Sequence, residues 1–197
     1  MIDNYDKIKP FLVFDSDDDF YHLHILKRKK ENPDLGSNSL TLQTFYITSI
    51  EYLDKYYEEI KEHCNFSNAR AMINLNRRSF KKNAYQLNAL LSQHMLNGDY
   101  YAVRKAYQTI CGKFGNEKKE NRKWIIDIDD LDTTYLYEVG EYIKTLEPYN
   151  KKNKILTVLD TKSGYHIITN PFRLDSFKLE FPELEIKKNN PTNLYIP

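Results

Sequence analysis

The segment Trp124-Ile125-Ile126-Asp127-Ile128-Asp129 constrains the fold of this chain more than any other stretch. It begins apolar and ends in carboxylates, with the alternation of a strand. Ile126 and Ile128 therefore face a core, while Asp127 and Asp129 share the opposite face. A helix follows from about Thr133, with Leu136, Val139, Ile143 and Leu146 along one side and Pro148 as its stop. Lys154–Leu159 and Tyr165–Thr169 read as short strands joined across Asp160-Thr161-Lys162-Ser163-Gly164, a hairpin by length and residue type. After Pro171 a short amphipathic stretch leads to two final strands, Leu184–Lys187 and Leu194–Ile196, paired across the turn Asn189-Asn190-Pro191. This order suits an antiparallel sheet with helices on one face.

The first part of the chain alternates strands and helices. Phe11–Phe14 reads as a strand, and Phe20–Lys27 and Leu40–Ile47 as a hairpin over the turn formers of 32–38. Thr48 and Glu51 have capping-box spacing, ahead of a helix with Ile50, Leu53, Tyr57, Ile60 and Cys64 on one face. Ala69–Asn76 reads as a strand. A helix from about Ser79 should bury Phe80, Ala84, Leu87, Leu91 and Met95 before Asn97-Gly98 breaks it. Asp99 can cap another helix with core residues Val103, Ala106, Tyr107 and Ile110 and a stop at Gly112. Lys113–Lys123 is a polar connection. The fold class is α/β in the α+β sense, and a chain of 197 residues can bury its core as one domain.

Charge is distributed unevenly. The net charge is only +1, yet residues 67–125 hold 12 basic and 3 acidic side chains between two acidic flanks. Such a block can attract a polyanion. Arg70, Asn76, Arg77, Arg78, Lys81 and Lys82 gather where a strand ends and a helix begins, and cations there oppose the helix dipole. A phosphate at that helix end would resolve the conflict. Arg104, Lys105, Lys118, Lys119, Arg122 and Lys123 extend the block, and Tyr85, Tyr100, Tyr101 and Tyr107 could stack on bases. No apolar run approaches the roughly 18 residues of a membrane span, and no leader peptide is visible. Cys64 and Cys111 lack metal-ligand spacing, so a reducing, cytoplasmic setting without a membrane is expected. His22, His24, His63 and Cys64 have no zinc-finger spacing, and Asp15, Asp17, Asp18 and Asp19 read as a solvated turn.

Two carboxylates side by side repel each other. Protonation, basic side chains or a hard cation such as Mg2+ or Mn2+ must neutralise them. His166 lies on the next hairpin behind Gly164, which would let backbone approach a ligand closely. Glu185 adds a third carboxylate on a late strand, and Glu183 is equally compatible on periodicity.

Asp127-Ile128-Asp129, then Ser163-Gly164-Tyr165-His166, then Glu185, resemble the three ordered motifs of the archaeo-eukaryotic primase superfamily, which includes primase-polymerases. The resemblance implies an N-terminal αβ lobe (1–120) packed on an RRM-like module (121–197). It implies catalytic roles for Asp127, Asp129, His166 and Glu185. Mg2+ or Mn2+ would be held by Asp127, Asp129 and Glu185, and the nucleotide by Lys162, Ser163, Gly164 and His166. The implied activity is addition of nucleoside triphosphates on a DNA or RNA template, alongside a helicase or other replication protein. The size suits a stand-alone version of the kind carried by phages or mobile elements. One rival is a metal-dependent nuclease, since Asp160 with Glu185-Ile186-Lys187 imitates a restriction-type signature. On the primase reading Lys187→Ala would do little. The other is a non-catalytic nucleic-acid-binding protein on the same fold.

Overall fold

The computed structural model describes residues 1–113, 115, 117, 118, 121–149 and 153–197. The N-terminal half runs β1 (Ile2–Asp3), α1 (Tyr5–Ile8), β2 (Asp19–Arg28), β3 (Ser39–Ile47), α2 (Ile50–Ser67), β4 (Arg70–Asn74), β5 (Arg78–Ser79), α3 (Phe80–Leu96), α4 (Tyr100–Val103) and α5 (Ala106–Lys113). It continues through β6 (Trp124–Ile128), α6 (Thr133–Thr145), β7 (Ile155–Asp160), β8 (Tyr165–Thr169), α7 (Leu174–Glu180), β9 (Glu185–Lys187) and β10 (Pro191–Ile196). This is an α+β fold on two antiparallel sheets.

In the first sheet the strand order is β1-β10-β4-β2-β3, with β5 beside β2. The β2–β3 hairpin forms as the alternation requires: Tyr21, Leu23 and Ile25 are buried with Ile47 against Leu53, Ile60 and Cys64 of α2. Ser49 rather than Thr48 caps α2, accepting from the Tyr52 N–H at 3.0 Å. The opposite face of β2 carries His22, His24, Leu26 and Arg28, and β4 adds Arg70, Met72 and Asn74 beside them.

The second sheet has the order β7-β8-β6-β9 and the βαββαβ connectivity of ferredoxin-like modules. Both its helices lie on one face, where Ile126, Ile128 and Ile167 meet Val139, Ile143 and Phe177. Its other face gives Ile125, Leu159 and Ile168 to the core of the first sheet. Helix α7 is the amphipathic stretch after Pro171, anchored by Phe177 and Phe181.

Four sequence expectations need correction. Phe11–Phe14 is not a strand: Pro10 sits in a 3-10 turn over Lys9–Phe11, Leu12 plugs the core, and Val13 is left exposed with its N–H on the Tyr21 hydroxyl at 3.0 Å. The apolar stripe of α3 is not buried. Ala84 and Met95 are exposed and Leu87 and Leu91 half-buried; among the described residues α3 packs mainly beside the short helices α4 and α5, with its first turn on β5 and Phe20. Helix α5 continues through Gly112 to Lys113. The last two strands form no hairpin: β9 pairs with β6, whereas β10 crosses into the first sheet between β1 and β4, where Leu194, Tyr195 and Ile196 are buried. Their alternation marks them as strands but carries no information about which edge they meet.

Candidate active site

Register across the second sheet assembles the site. Asp127 lies opposite His166 on β8 and opposite Glu185 on β9, so one row of side chains reads Glu185, Asp127, His166. Lys187, two residues after Glu185, shares their face and lies opposite Ile125. The His166 Nε2 is 3.0 Å from Asp127 Oδ1, and Lys187 Nζ pairs with Asp127 Oδ2 and stands 3.5 Å from Glu185 Oε2. The His166 contact and then the Lys187 ammonium hold the Asp127 carboxyl well below the usual carboxylate range, against the opposing effect of burial. Burial alone would lower the Lys187 pKa, but the Asp127 and Glu185 carboxylates raise it above the ordinary lysine value.

His166 is buried, and its Nδ1 is 2.7 Å from the hydroxyl of Thr192 on β10. Nε2–H can donate to the Asp127 carboxylate, while Nδ1 meets a hydroxyl that can donate or accept. His166 therefore holds Asp127 in place, with both ring nitrogens already engaged. Asp129 stands just past the end of β6 and accepts a hydrogen bond from Ser163 Oγ at 2.9 Å. Asp130 and Asp132 shape the following turn: Asp130 accepts from the Asp132 N–H at 2.9 Å, and Asp132 caps α6 through the Thr134 N–H at 2.8 Å.

Gly164 serves a structural purpose. A Cβ there would lie 2.0 Å from the Ile128 carbonyl oxygen and 2.7 Å from the Asp130 nitrogen. The close approach is to the chain's own backbone, pressing the start of β8 onto the end of β6. Glu183 is held by Tyr135, whose hydroxyl donates to Oε1 at 2.5 Å. Glu185, in register with Asp127, is the second carboxylate of the row.

A cleft of about 570 Å³ opens between this row and the polar face of the first sheet. Its lining includes Asp127, Asp129, Ser163 and His166, the basic Arg28, Lys30, Arg70, Lys162 and Lys187, and Glu31. Arg70 forks onto Glu31, with Nε to Oε2 at 3.1 Å and a second bond from Nη2 to Oε1, and the exposed Lys162 stands 3.9 Å from the same carboxylate. On the other side of the strand end, a second hollow of about 410 Å³ is lined by Asp127, Asp129, Asp130, Glu183 and Glu185.

Of the six residues expected to meet nucleic acid, only Arg70 reaches the cleft. Arg78 is fully buried, donating from Nε to the Cys111 carbonyl at 2.8 Å and from Nη1 to the Asn76 carbonyl, and burial pushes its pKa down to about 10. The Asn76 amide clamps the carbonyls of Lys123 at 2.9 Å and Lys188 at 3.1 Å. Arg77 pairs with Asp15 at 2.6 Å, Asp19 at 3.0 Å and Glu117 at 3.4 Å. Lys81 and Lys82 lie on the first turn of α3, but a carboxylate already serves that helix end. Asp18 accepts from the Lys81 N–H at 2.7 Å and from the Ser79 hydroxyl, and Ser79 accepts from the Lys82 N–H at 3.0 Å. The acidic turn at 15–19 keeps Asp15 and Asp17 exposed, as expected of a solvated turn, while Asp15, Asp18 and Asp19 also supply counter-charge or acceptors to the basic block. Lys119 lies outside the described residues. Asp160 does not join Glu185: it pairs with Lys7 at 2.6 Å on β7, the edge strand farthest from β9.

Sequence reasoning placed Lys187 only in the rival nuclease signature and missed Arg28, Lys30, Glu31 and Thr192. The place of Lys187 beside Glu185 follows from the strand, which returns to the same face two residues on. The others meet the site only through packing of one sheet on another.

His22 and His24 sit beside the cleft on β2, and burial pushes both imidazoles down to about 4. The folded protein refuses protons that the unfolded chain accepts near pH 6.5. The stability this preserves is complete above about pH 6.5 and is lost as the pH falls towards 4. The urea midpoint is expected to fall between pH 7 and pH 5, with a shallower fall in His24→Leu. A midpoint independent of pH over that range would contradict this.

Comparison of the chain with family models, with curated proteins and with solved structures gives no match. No helix among the described residues is long and apolar enough to cross a membrane. Among the described residues, no three His, Cys, Asp or Glu side chains already converge as a metal cage. The donor chemistry nevertheless fits a hard cation. Asp127, Asp129 and Glu185 offer only oxygen, and the position between Asp127 and Glu185 already accommodates a positive charge, that of Lys187.

Proposed function

We propose that the protein is a metal-dependent nucleotidyltransferase of the primase-polymerase type, which adds nucleoside triphosphates on a DNA or RNA template. The observation that carries this reading is the two-signed cleft, whose lining brings Asp127 and Asp129 together with Arg28, Arg70, Lys162 and Lys187. Its volume of about 570 Å³ falls in the range of small-molecule sites. Asp127, Asp129 and Glu185 would hold Mg2+ or Mn2+, which when bound supplies neutralisation of the polyphosphate and a lower cost of deprotonating the attacking hydroxyl.

The chain's own groups prepare the site in other ways. His166, braced by Thr192, fixes the Asp127 carboxylate, and Ser163 fixes that of Asp129, so both are oriented before a ligand arrives. Arg70 and Lys162 share Glu31, a carboxylate that a phosphate can replace, because both ligands satisfy a guanidinium fork. In this reading the protein works in the cytoplasm with a helicase or other replication protein.

A second reading, a metal-dependent nuclease, is favoured by one observation: Asp127 rather than Asp160 faces Glu185 and Lys187 across adjacent strands. Titration of the protein with Mn2+ and a non-hydrolysable triphosphate, followed by incorporation of labelled triphosphate on a primed template, tests the two. Saturable metal-dependent triphosphate binding with template-dependent incorporation is expected. Template degradation without incorporation would replace the first reading by the second.

A further inference from the structure

Asp127 and Glu185 face each other across adjacent antiparallel strands, an arrangement that like charges destabilise. Lys187 relieves it from the same strand as Glu185. Its ammonium pairs with Asp127 Oδ2 and stands 3.5 Å from Glu185 Oε2, and its side chain is largely buried. Lys187 also lines the basic cleft together with Arg70 and Lys162. A lysine is a point charge on a flexible four-carbon stem, so one side chain can serve both places in turn.

We propose that Lys187 is the resident counter-cation of this site. Its ammonium fills the seat between Asp127 and Glu185, and a divalent ion must displace it into the cleft, where it meets the phosphates of the nucleotide. The inference rests on the metal-binding reading given above and adds the order of events within it. A metal arriving alone competes with a lysine that loses both its partners. A metal arriving with a polyphosphate does not, because the displaced ammonium gains an anion in the cleft. Metal and triphosphate thus favour each other's binding by a route additional to any direct contact between them. His166 is held by Thr192 and does not need to move.

The test is calorimetric titration of Mn2+ into the whole chain without and with a non-hydrolysable triphosphate, on wild type, Lys187→Met and Lys187→Arg. Lys187→Met keeps the stem and removes the charge, so Mn2+ alone is expected to bind about tenfold more tightly than to wild type, the scale of one partly buried charge pair. Lys187→Arg keeps a cation in the seat and is expected to bind Mn2+ alone no more tightly than wild type. In Lys187→Met the triphosphate should also enhance Mn2+ binding less than it does in wild type. Thermal unfolding supplies a readout independent of the titration: metal-free Lys187→Met should melt below wild type and recover on adding Mn2+.

If Lys187→Met binds Mn2+ alone no better than a wild type that does bind it, Lys187 is not the competitor, and the inference falls while the nucleotidyltransferase reading stands. Should wild type and both variants bind no Mn2+ with or without triphosphate, the metal site itself falls, and the inference with it. Should Lys187→Met not fold, Lys187→Gln replaces it with the same two expectations.

Discussion

Asp127→Asn is expected to abolish metal-dependent triphosphate binding, with a loss in affinity of at least about a hundredfold. Asp127 is met by His166 Nε2 at 3.0 Å and by Lys187, and lies in register with Glu185 on the neighbouring strand. Asparagine keeps the size and one acceptor but removes the charge that makes the seat attractive to a cation. The cost in stability should be about 1–3 kcal/mol, since the ion pairs are partly buried and Lys187 retains Glu185. Binding and stability can therefore be separated: Mn2+ and triphosphate titrations should fail at temperatures where the unfolding curve still shows a folded protein. Asp129→Asn should have a smaller effect, because Asp129 is exposed and its described side-chain partner is Ser163. Unchanged triphosphate affinity in both variants would sink the primase-polymerase reading.

Gly164→Ala should produce the largest loss of stability of any glycine-to-alanine change in this chain, about 3 kcal/mol or more. The three atoms that an added Cβ would strike, at 2.0, 2.7 and 2.8 Å, all belong to the backbone of Ile128 and Asp130. None can rotate away as a side chain could, so the end of β6 must separate from the start of β8. That separation would also pull Ser163 from Asp129 and tilt His166 relative to Asp127, lowering ligand affinity together with stability. Gly36→Ala is the control, since nothing lies within 4 Å of its added methyl and its urea midpoint should match that of wild type. A Gly164→Ala midpoint equal to wild type would contradict the packing of these two strand ends.

Much of the framework was legible because it depends on local period. The alternation at Trp124–Ile128, the 3.6-residue stripe of α6 and the turn residues between β2 and β3 each state which face is apolar, and the fold obeys them. The α3 stripe obeys the same rule yet stays largely exposed, because periodicity describes a face and says nothing of what covers it. The basic block misled for a related reason. Arg77, Arg78 and the α3 terminus find their counter-charges and carbonyls in residues 15–19 and 111, some 30 to 60 positions away.

By itself the sequence determined the strand that ends in Asp127, the side on which it and Asp129 emerge, and the parity that returns Glu185 and Lys187 to one face. Each of these follows from the two-residue repeat of a strand and needs no knowledge of neighbours. Only the tertiary structure decided that β9 and β8 flank β6, with Glu185 and His166 level with Asp127, and that β10 crosses to the other sheet and brings Thr192 behind His166. It also decided that Arg28 and Arg70 would stand across the cleft. Those choices depend on which edges and faces bury the most apolar surface together, a property of the whole chain that no single segment carries.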